Sequence, residues 1–269
     1  MTATTSAAPI RGRVVPPRPR PPWGLYTGLL VCAGVTVWAA TGIDFTLTPL
    51  FTNLTRGQEV IAEFFRPDWA FAWRVRERWI ETLQLAVVAS FAGCLVALIL
   101  AHLASDVTAP PWLARTMKGL LAVERSLPDV AWALLAVAVV GNGALAGILA
   151  LFAFNVGVAA KLTAESVDAV DRGPVEAATA VGAGGLQRAV AAVLPQVMPN
   201  FLSYSFYVFE LNIRASLVIG LVGAGGIGQV IKTELSRFQY SHISAIVVVF
   251  VVVVFALDQI SAWLRRRLI

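Results

Sequence analysis

Residues 223–228 read Gly-Ala-Gly-Gly-Ile-Gly and fit the pattern G-x-G-x-x-G. Such a run lets a backbone approach a pyrophosphate when a strand precedes it, a helix follows it and an acidic residue lies about 20 positions on. Here an apolar span precedes it, and the chain shows no strand–helix alternation. The expectation is instead a flexible outer loop in which Gly223, Gly225, Gly226 and Gly228 let backbones pack closely. A Walker-type phosphate loop needs Gly-Lys followed by Ser or Thr. Lys118, Lys161 and Lys232 are the only lysines, and none follows a glycine. The chain is therefore expected not to hydrolyse ATP itself, and no nucleophile–base arrangement marks it as an enzyme.

Other polar residues stand out because their neighbours are apolar. Glu210, Asn212, Arg214 and Ser216 fall in or near one apolar block. Charges inside a membrane are costly and face a protein interior or a water-filled path. Two readings stand for them. Glu210 and Arg214, spaced i,i+4, could pair and hold helices together; alternatively, Arg214 helps draw an oxyanion through a pathway, since an Arg fork suits phosphate geometry. Arg125, Ser126 and Asp129 form a second polar group. Ser126 could cap a helix whose N-terminus favours an anion, while Asp129 opposes an anion by repulsion. Asn155 reads equally as a pathway group or a helix–helix hydrogen bond, and Lys161 as a side chain reaching the inner interface. His102, His242, Cys32 and Cys94 have no metal-site spacing, so no metal is expected. Both cysteines read as small packing residues.

The elements that must position these groups are set by composition. Of 269 residues, 58% are hydrophobic and only 14% charged, against about 25% charged in soluble domains. Mean hydropathy is +0.74. Uncharged blocks run over 21–43, 82–105, 130–160, 189–209, 215–231 and 243–257, and roughly 20 apolar residues cross the hydrocarbon core. Spans are expected at about 23–43, 80–104, 119–140, 144–163, 199–221 and 243–263. The β-branched run 247–254 is expected to be helical, because in lipid a backbone must satisfy itself. The first block runs past the usual length of a signal core and no small-residue cleavage site follows, so it reads as a retained anchor.

Basic residues Arg11, Arg13, Arg18 and Arg20 precede the first span, and Arg265, Arg266 and Arg267 close the last. This positive-inside pattern places both termini in the cytoplasm. It also accounts for the net charge of +5 without a nucleic-acid partner. The fold expected is all-α, with six transmembrane helices. Its organisation is a disordered cytoplasmic tail at 1–22, a first helix with an outer amphipathic segment at 23–79, a transmembrane domain at 80–263 and a basic tail at 264–269. Within the outer segment, 57–66 reads as a short amphipathic helix, and Trp69, Trp73 and Trp79 suit a membrane interface. Five arginines in that segment run against a simple count of positive charge, though acidic residues accompany them.

The cytoplasmic segment 164–198 is the most informative. Pro174 suits a first helical position and Glu176 a first turn. Gly182 and Gly184-Gly185 permit a reversal, and a second helical piece, about 185–194, is stopped by Pro195. The expectation is a helix, a bend and another helix between spans four and five. Glu176-Ala177-Ala178, then Gly182, then Ala192-Val-Leu194-Pro195 resembles the EAA loop of bacterial ABC importer permeases, with Ala192 where that pattern usually has Ile. Arg125-Ser-Leu-Pro-Asp129, Gly173-Pro-Val-Glu176, Phe209-Glu-Leu-Asn-Ile-Arg214 and Gly220-Leu-Val-Gly-Ala-Gly-Gly-Ile-Gly228 resemble the phosphonate-type permeases of that family. The resemblance covers about 80–260.

It implies a coupling helix that docks on a cytoplasmic ATPase dimer, which binds ATP and Mg while this chain carries no cofactor. It also implies an extracytoplasmic binding protein for phosphonate or phosphate-like anions, a second permease copy, and an outer gate near the glycine run. The location implied is the bacterial inner membrane. A secondary carrier driven by an ion gradient is the rival reading; it has no use for a cytoplasmic EAA-type loop, and no internal repeat is evident.

Overall fold

The computed structural model describes residues 23–43, 46 and 48–268. Among them every regular element is helical. Two compact units divide at residues 57 and 58. The tail at 1–22 lies outside the described residues.

In the first unit, α1 (Trp23–Gly42) is apolar on every side and buries none of its residues within the chain, as a helix facing lipid does. Cys32 is exposed on it, so the packing role expected of this residue is not met within the chain. The short α2 (Thr48–Thr52) follows. The amphipathic α3 (Leu54–Phe64) begins in this unit and ends in the second.

The second unit is a helical bundle. α4 (Trp69–Arg74) is capped by Asp68, whose carboxylate accepts the Phe71 N–H at 3.0 Å. α5 (Arg76–Leu103) is the central helix, packed on α8 (Ala144–Asp168), α11 (Leu194–Leu221) and α12 (Gly226–Ser236). It turns a stripe of small residues inward: Ala86, Ala89, Ser90, Gly93, Ala97 and Ala101 are all buried. Lipid tails are as apolar as leucine, so membrane helices associate by close backbone approach rather than by hydrophobic exclusion. Gly93 shows this. A Cβ there would lie 2.7 Å from the Asn155 Cβ of α8.

The third expected span is two helices, α6 (Pro111–Glu124) and α7 (Asp129–Val140), broken at 125–128. Pro128 supplies no N–H and favours extended backbone before it. Ser126 does not cap α7. Its hydroxyl donates back to the Val123 carbonyl at 2.6 Å, and Pro128 takes the capping position.

Pro195 does not stop a helix either. The chain runs from α10 (Gly185–Arg188) through a π-turn (Ala189–Val193) straight into α11. The wider π-turn relieves the clash a proline ring makes with the preceding turn, and Pro195 sits at the start of α11, where a missing N–H costs least. The glycine run is a buried turn rather than an open loop. Residues 223–228 are buried, and the chain turns there directly into α12. α13 (Tyr240–Leu268) completes the bundle.

Candidate functional site

The segment after α8 folds as a helix–turn–helix. Asp171 caps α9 (Arg172–Ala180) by accepting the Gly173 N–H at 2.9 Å. This cap puts Pro174 third in the helix rather than first, and Glu176 beyond the first turn. α9 ends in a Schellman motif. The Ala183 N–H reaches the Ala178 carbonyl and the Gly182 N–H the Thr179 carbonyl, both at 3.0 Å. The motif requires a left-handed residue, and Gly182 supplies it with φ +79°. Arg188 of α10 then donates to the Thr179 hydroxyl at 3.1 Å, tying the second arm to the first.

Gln196 anchors the pair to α11. Its side-chain oxygen accepts the Asp171 N–H at 3.0 Å, and its amide donates to the Ala192 carbonyl at 2.7 Å. Behind it lies a polar cavity of about 390 Å³ lined by Ser166, Asp171, Asn200 and Tyr204 among others.

On the outer surface of this segment Glu176, Ala177, Gly182 and Pro195 are exposed, and Ala178 and Leu194 are half-buried. Glu176 makes no ion pair among the described residues. Val181 and Leu186 are 84% and 80% exposed, and Val190 is exposed beside them. The sequence reading passed over these three. Their signal was present: large apolar residues flanking the glycines of a polar segment. The segment thus presents a carboxylate and three large apolar side chains together on its surface.

At the same end of the bundle, Lys118 bridges Asp106 at 2.7 Å and Asp168 at 3.0 Å. Asp168 also accepts the Ser105 hydroxyl at 2.6 Å.

The polar residues of the bundle are not brought to one cavity. Asn155 and Asn212 are both 0% exposed. The Asn212 amide donates to the Ser90 hydroxyl at 2.6 Å, while both polar ends of Asn155 lack a partner among the described residues. Ser216 is buried and donates to the Ile213 carbonyl at 2.6 Å. Ser126 is exposed at the break between α6 and α7.

Glu210 and Arg214 do not pair with each other. Glu210 meets Arg265 at 3.0 Å, and Arg214 donates to both oxygens of Asp258 at 2.9 and 2.8 Å. Both partners lie on α13, about fifty residues away, where local spacing gives no sign of them. Lys161 pairs with Glu165 at 2.9 Å.

The glycine run closes the C-terminal end of α11 onto α12. The Gly143 N–H reaches the Gly223 carbonyl at 2.9 Å, and the Ile227 N–H reaches the Thr82 hydroxyl at 2.8 Å. Gly223, Gly225 and Gly226 have φ of +102°, +83° and +68°. A Cβ on Gly220 would lie 2.7 Å from the Gly228 Cα. Glycine is used here for a turn and a close crossing, not for a nucleotide.

His102 sits at 2.9 Å from the Leu98 carbonyl. His242 stacks on Phe71 at 3.9 Å, with Nδ1 2.7 Å from Glu234 and Nε2 3.4 Å from Asp68. Among the described residues no cluster could hold a metal ion.

The family profile described as binding-protein-dependent transport system inner membrane component matches residues 78–269. The chain belongs to this family. It is thus the membrane permease subunit of an ABC importer, an inner-membrane component and not the ATPase. Permeases of such importers work with a cytoplasmic ATPase and a periplasmic binding protein.

Among its relatives is the "Phosphite transport system permease protein PtxC" of Stutzerimonas stutzeri, 37% identical over 82% of this chain and 80% of that protein. The "Phosphate-import permease protein PhnE" of Mycolicibacterium smegmatis is 36% identical over 70% of this chain, a match spanning 36% of that longer protein. The fold resembles a chain of the inward-facing methionine ABC transporter MetNI. That match has a TM-score of 0.63 at 22% identity and covers 74% of this permease and 97% of the other chain. Family membership favours the ATP-driven importer over the ion-gradient carrier.

Proposed function

We propose that this permease carries a small phosphorus oxyanion (phosphonate, phosphite or phosphate) across the inner membrane, and that the 174–195 segment couples it to its ATPase. The observation that carries the coupling is the Schellman-turned pair α9–α10, which exposes Glu176, Val181 and Leu186 while Gln196 ties its base to α11. A projection that is rigid in itself and rooted in a spanning helix transmits displacement. ATP bound with Mg in the partner dimer closes that dimer, both copies of the segment are pulled, and the spans switch from inward- to outward-facing. The oxyanion class rests on the relatives named for phosphite and phosphate transport.

Among the described residues, five helical stretches are long and apolar enough to cross a membrane: Trp23–Gly42, Arg76–Leu103, Ala144–Asp168, Gly185–Ser236 and Tyr240–Arg267. With α6 and α7 as a divided crossing, six spans put both termini in the cytoplasm. The domain limits then stay at 1–22, 23–79, 80–263 and 264–269. Two copies assemble as a homodimer, one for each ATPase. The polar residues of the bundle divide by burial. Asn212 ties α11 to α5 through Ser90, Asn155 and Ser216 are buried beside it, and Ser126 and Arg214, with Glu210 behind it, border the pathway. The turn at Gly223, Gly225, Gly226 and Gly228 forms the outer gate under the binding protein.

The test is uptake of radiolabelled phosphate in a strain lacking this permease but keeping its partner subunits. Wild type restores uptake, and excess methylphosphonate competes. Glu176→Lys remains in the membrane but loses at least ten-fold in uptake. Full uptake by Glu176→Lys sinks the coupling assignment. If wild type carries neither phosphate, phosphite nor methylphosphonate, the substrate class is wrong.

A further inference from the structure

Arg214 and Asp258 face each other across α11 and α13, and they are more exposed than the Glu210–Arg265 pair. Arg265–Arg267 mark the end of α13 at headgroup level, and Asp258 lies seven residues further in, about 10 Å along a helix. That is hydrocarbon depth. Yet the side chains are 48% and 34% exposed, and Arg214 lies on the stripe of α11 that also exposes Tyr207 and Val218. A charged pair against lipid tails is costly, so such a face borders water or protein.

The hydrogen bonding is incomplete as well. Both Asp258 oxygens are served by one nitrogen, Nη2 of Arg214. Nη1 and Nε of the guanidinium donate to nothing among the described residues. Three N–H groups of a planar fork are therefore free beside a charge already neutralised.

We infer that Arg214 and Asp258 together form a transit site for the oxyanion, in which the free donors of Arg214 take the substrate while Asp258 competes for the same guanidinium. This rests on the oxyanion reading above. An uncompensated arginine at this depth would hold a phosphorus oxyanion and slow its release. A carboxylate fixed at 2.8 Å keeps binding weak, as a carrier that hands its cargo on requires. Asp258 is thereby a specificity-determining residue. The pair is neutral, so a group that cannot accept two hydrogen bonds from the fork gains nothing by entering.

The test is binding of radiolabelled inorganic phosphate to the full permease–ATPase complex in nanodiscs, with ADP and Mg filling the nucleotide sites. In phosphatidylcholine discs, Asp258→Asn is expected to bind phosphate at least ten-fold more tightly than wild type. Arg214→Gln combined with Asp258→Asn is expected to lose that gain entirely. Arg214→Lys keeps the charge but not the fork, and should bind at least five-fold more weakly than wild type. Unchanged affinity in Asp258→Asn overturns the inference. If Asp258→Asn fails to copurify with the ATPase, Arg214→Lys decides alone, and wild-type affinity in it overturns the proposal. Discs containing phosphatidylglycerol form a separate arm. A gain abolished only there means a lipid phosphodiester occupies the fork, which also overturns it. Wild-type uptake of phosphate in proteoliposomes is measured in parallel, so failure of the substrate class is told apart from failure of this site.

Discussion

At the scale of single residues, the bundle depends on where side chains are missing. A Cβ on Gly228 would run into the Leu217 carbonyl of α11. Backbone there cannot retreat without parting α11 from α12. Gly228→Ala should therefore cost about 1–3 kcal/mol by overpacking, read as a lower thermal midpoint of the purified complex. Gly119→Ala is the matching control. Nothing lies within 4 Å of a Cβ at that position, and replacing a helical glycine there should gain about 0.5–1 kcal/mol. Equal effects of the two would mean the α11–α12 crossing is not tight.

The glycines at 223–228 were legible as a place of close packing, because G-x-G-x-x-G outside an α/β frame has little else to mean. That the run is buried was not legible. Its burial depends on Thr82, Glu81 and Gly143, which come from elements 80 or more residues away.

At the scale of elements, two joints make opposite predictions. Gln196 carries the root of α9, so Gln196→Ala should lower ATPase stimulation by loaded binding protein several-fold while leaving the amount of permease in the membrane unchanged. Stimulation at wild-type level would show that α9 holds its place without α11. The second joint is α4. Its cap Asp68 is held below the usual carboxylate range, chiefly because it accepts the Phe71 N–H, with Arg74 and His242 helping. A lowered value means the carboxylate contributes to folding above its unfolded range, about pH 3.9, and that the contribution is lost as pH falls through the lowered folded value. Fluorescence of Trp69 and Trp73 should therefore report α4 loosening only in strong acid. Asp68→Asn should remove that acid step. A step that persists in Asp68→Asn assigns it to another carboxylate.

Helix existence was readable here from length and apolar content alone. The junctions were not, since Pro174, Pro195 and Ser126 each have a local preference that a neighbour overrides. Asp171 takes the cap, a π-turn absorbs the proline, and Pro128 displaces the serine.

For the whole molecule, the single chain leaves the Arg214–Asp258 pair part exposed and Val181 and Leu186 of the α9–α10 segment uncovered. Both features call for company. Native mass spectrometry of the detergent-extracted complex should give two permease copies with two ATPase chains. One permease copy per complex would refute the homodimer. The class of transporter was readable from the Glu-Ala-Ala segment in its place between apolar blocks, because coupling to an engine leaves a local signature. The pathway leaves none. The pairs proposed to border it, Glu210–Arg265 and Arg214–Asp258, join α11 to α13, and sequence spacing records neighbours on one helix rather than partners on two.

The break between α6 and α7 bears on the bilayer itself. α7 has 12 residues, about 18 Å of helix, against a hydrocarbon thickness of about 30 Å. Between the two helices the carbonyls of Arg125, Ser126 and Leu127 accept no hydrogen bond among the described residues. Acyl chains cannot solvate bare peptide groups, and irregular backbone at hydrocarbon depth is tolerated only in protein or beside a water-filled cavity. A crossing built from these two pieces must therefore turn its break, with Ser126, toward the water of the pathway, which keeps that stretch hydrated at a depth where the lipid beside it is dry.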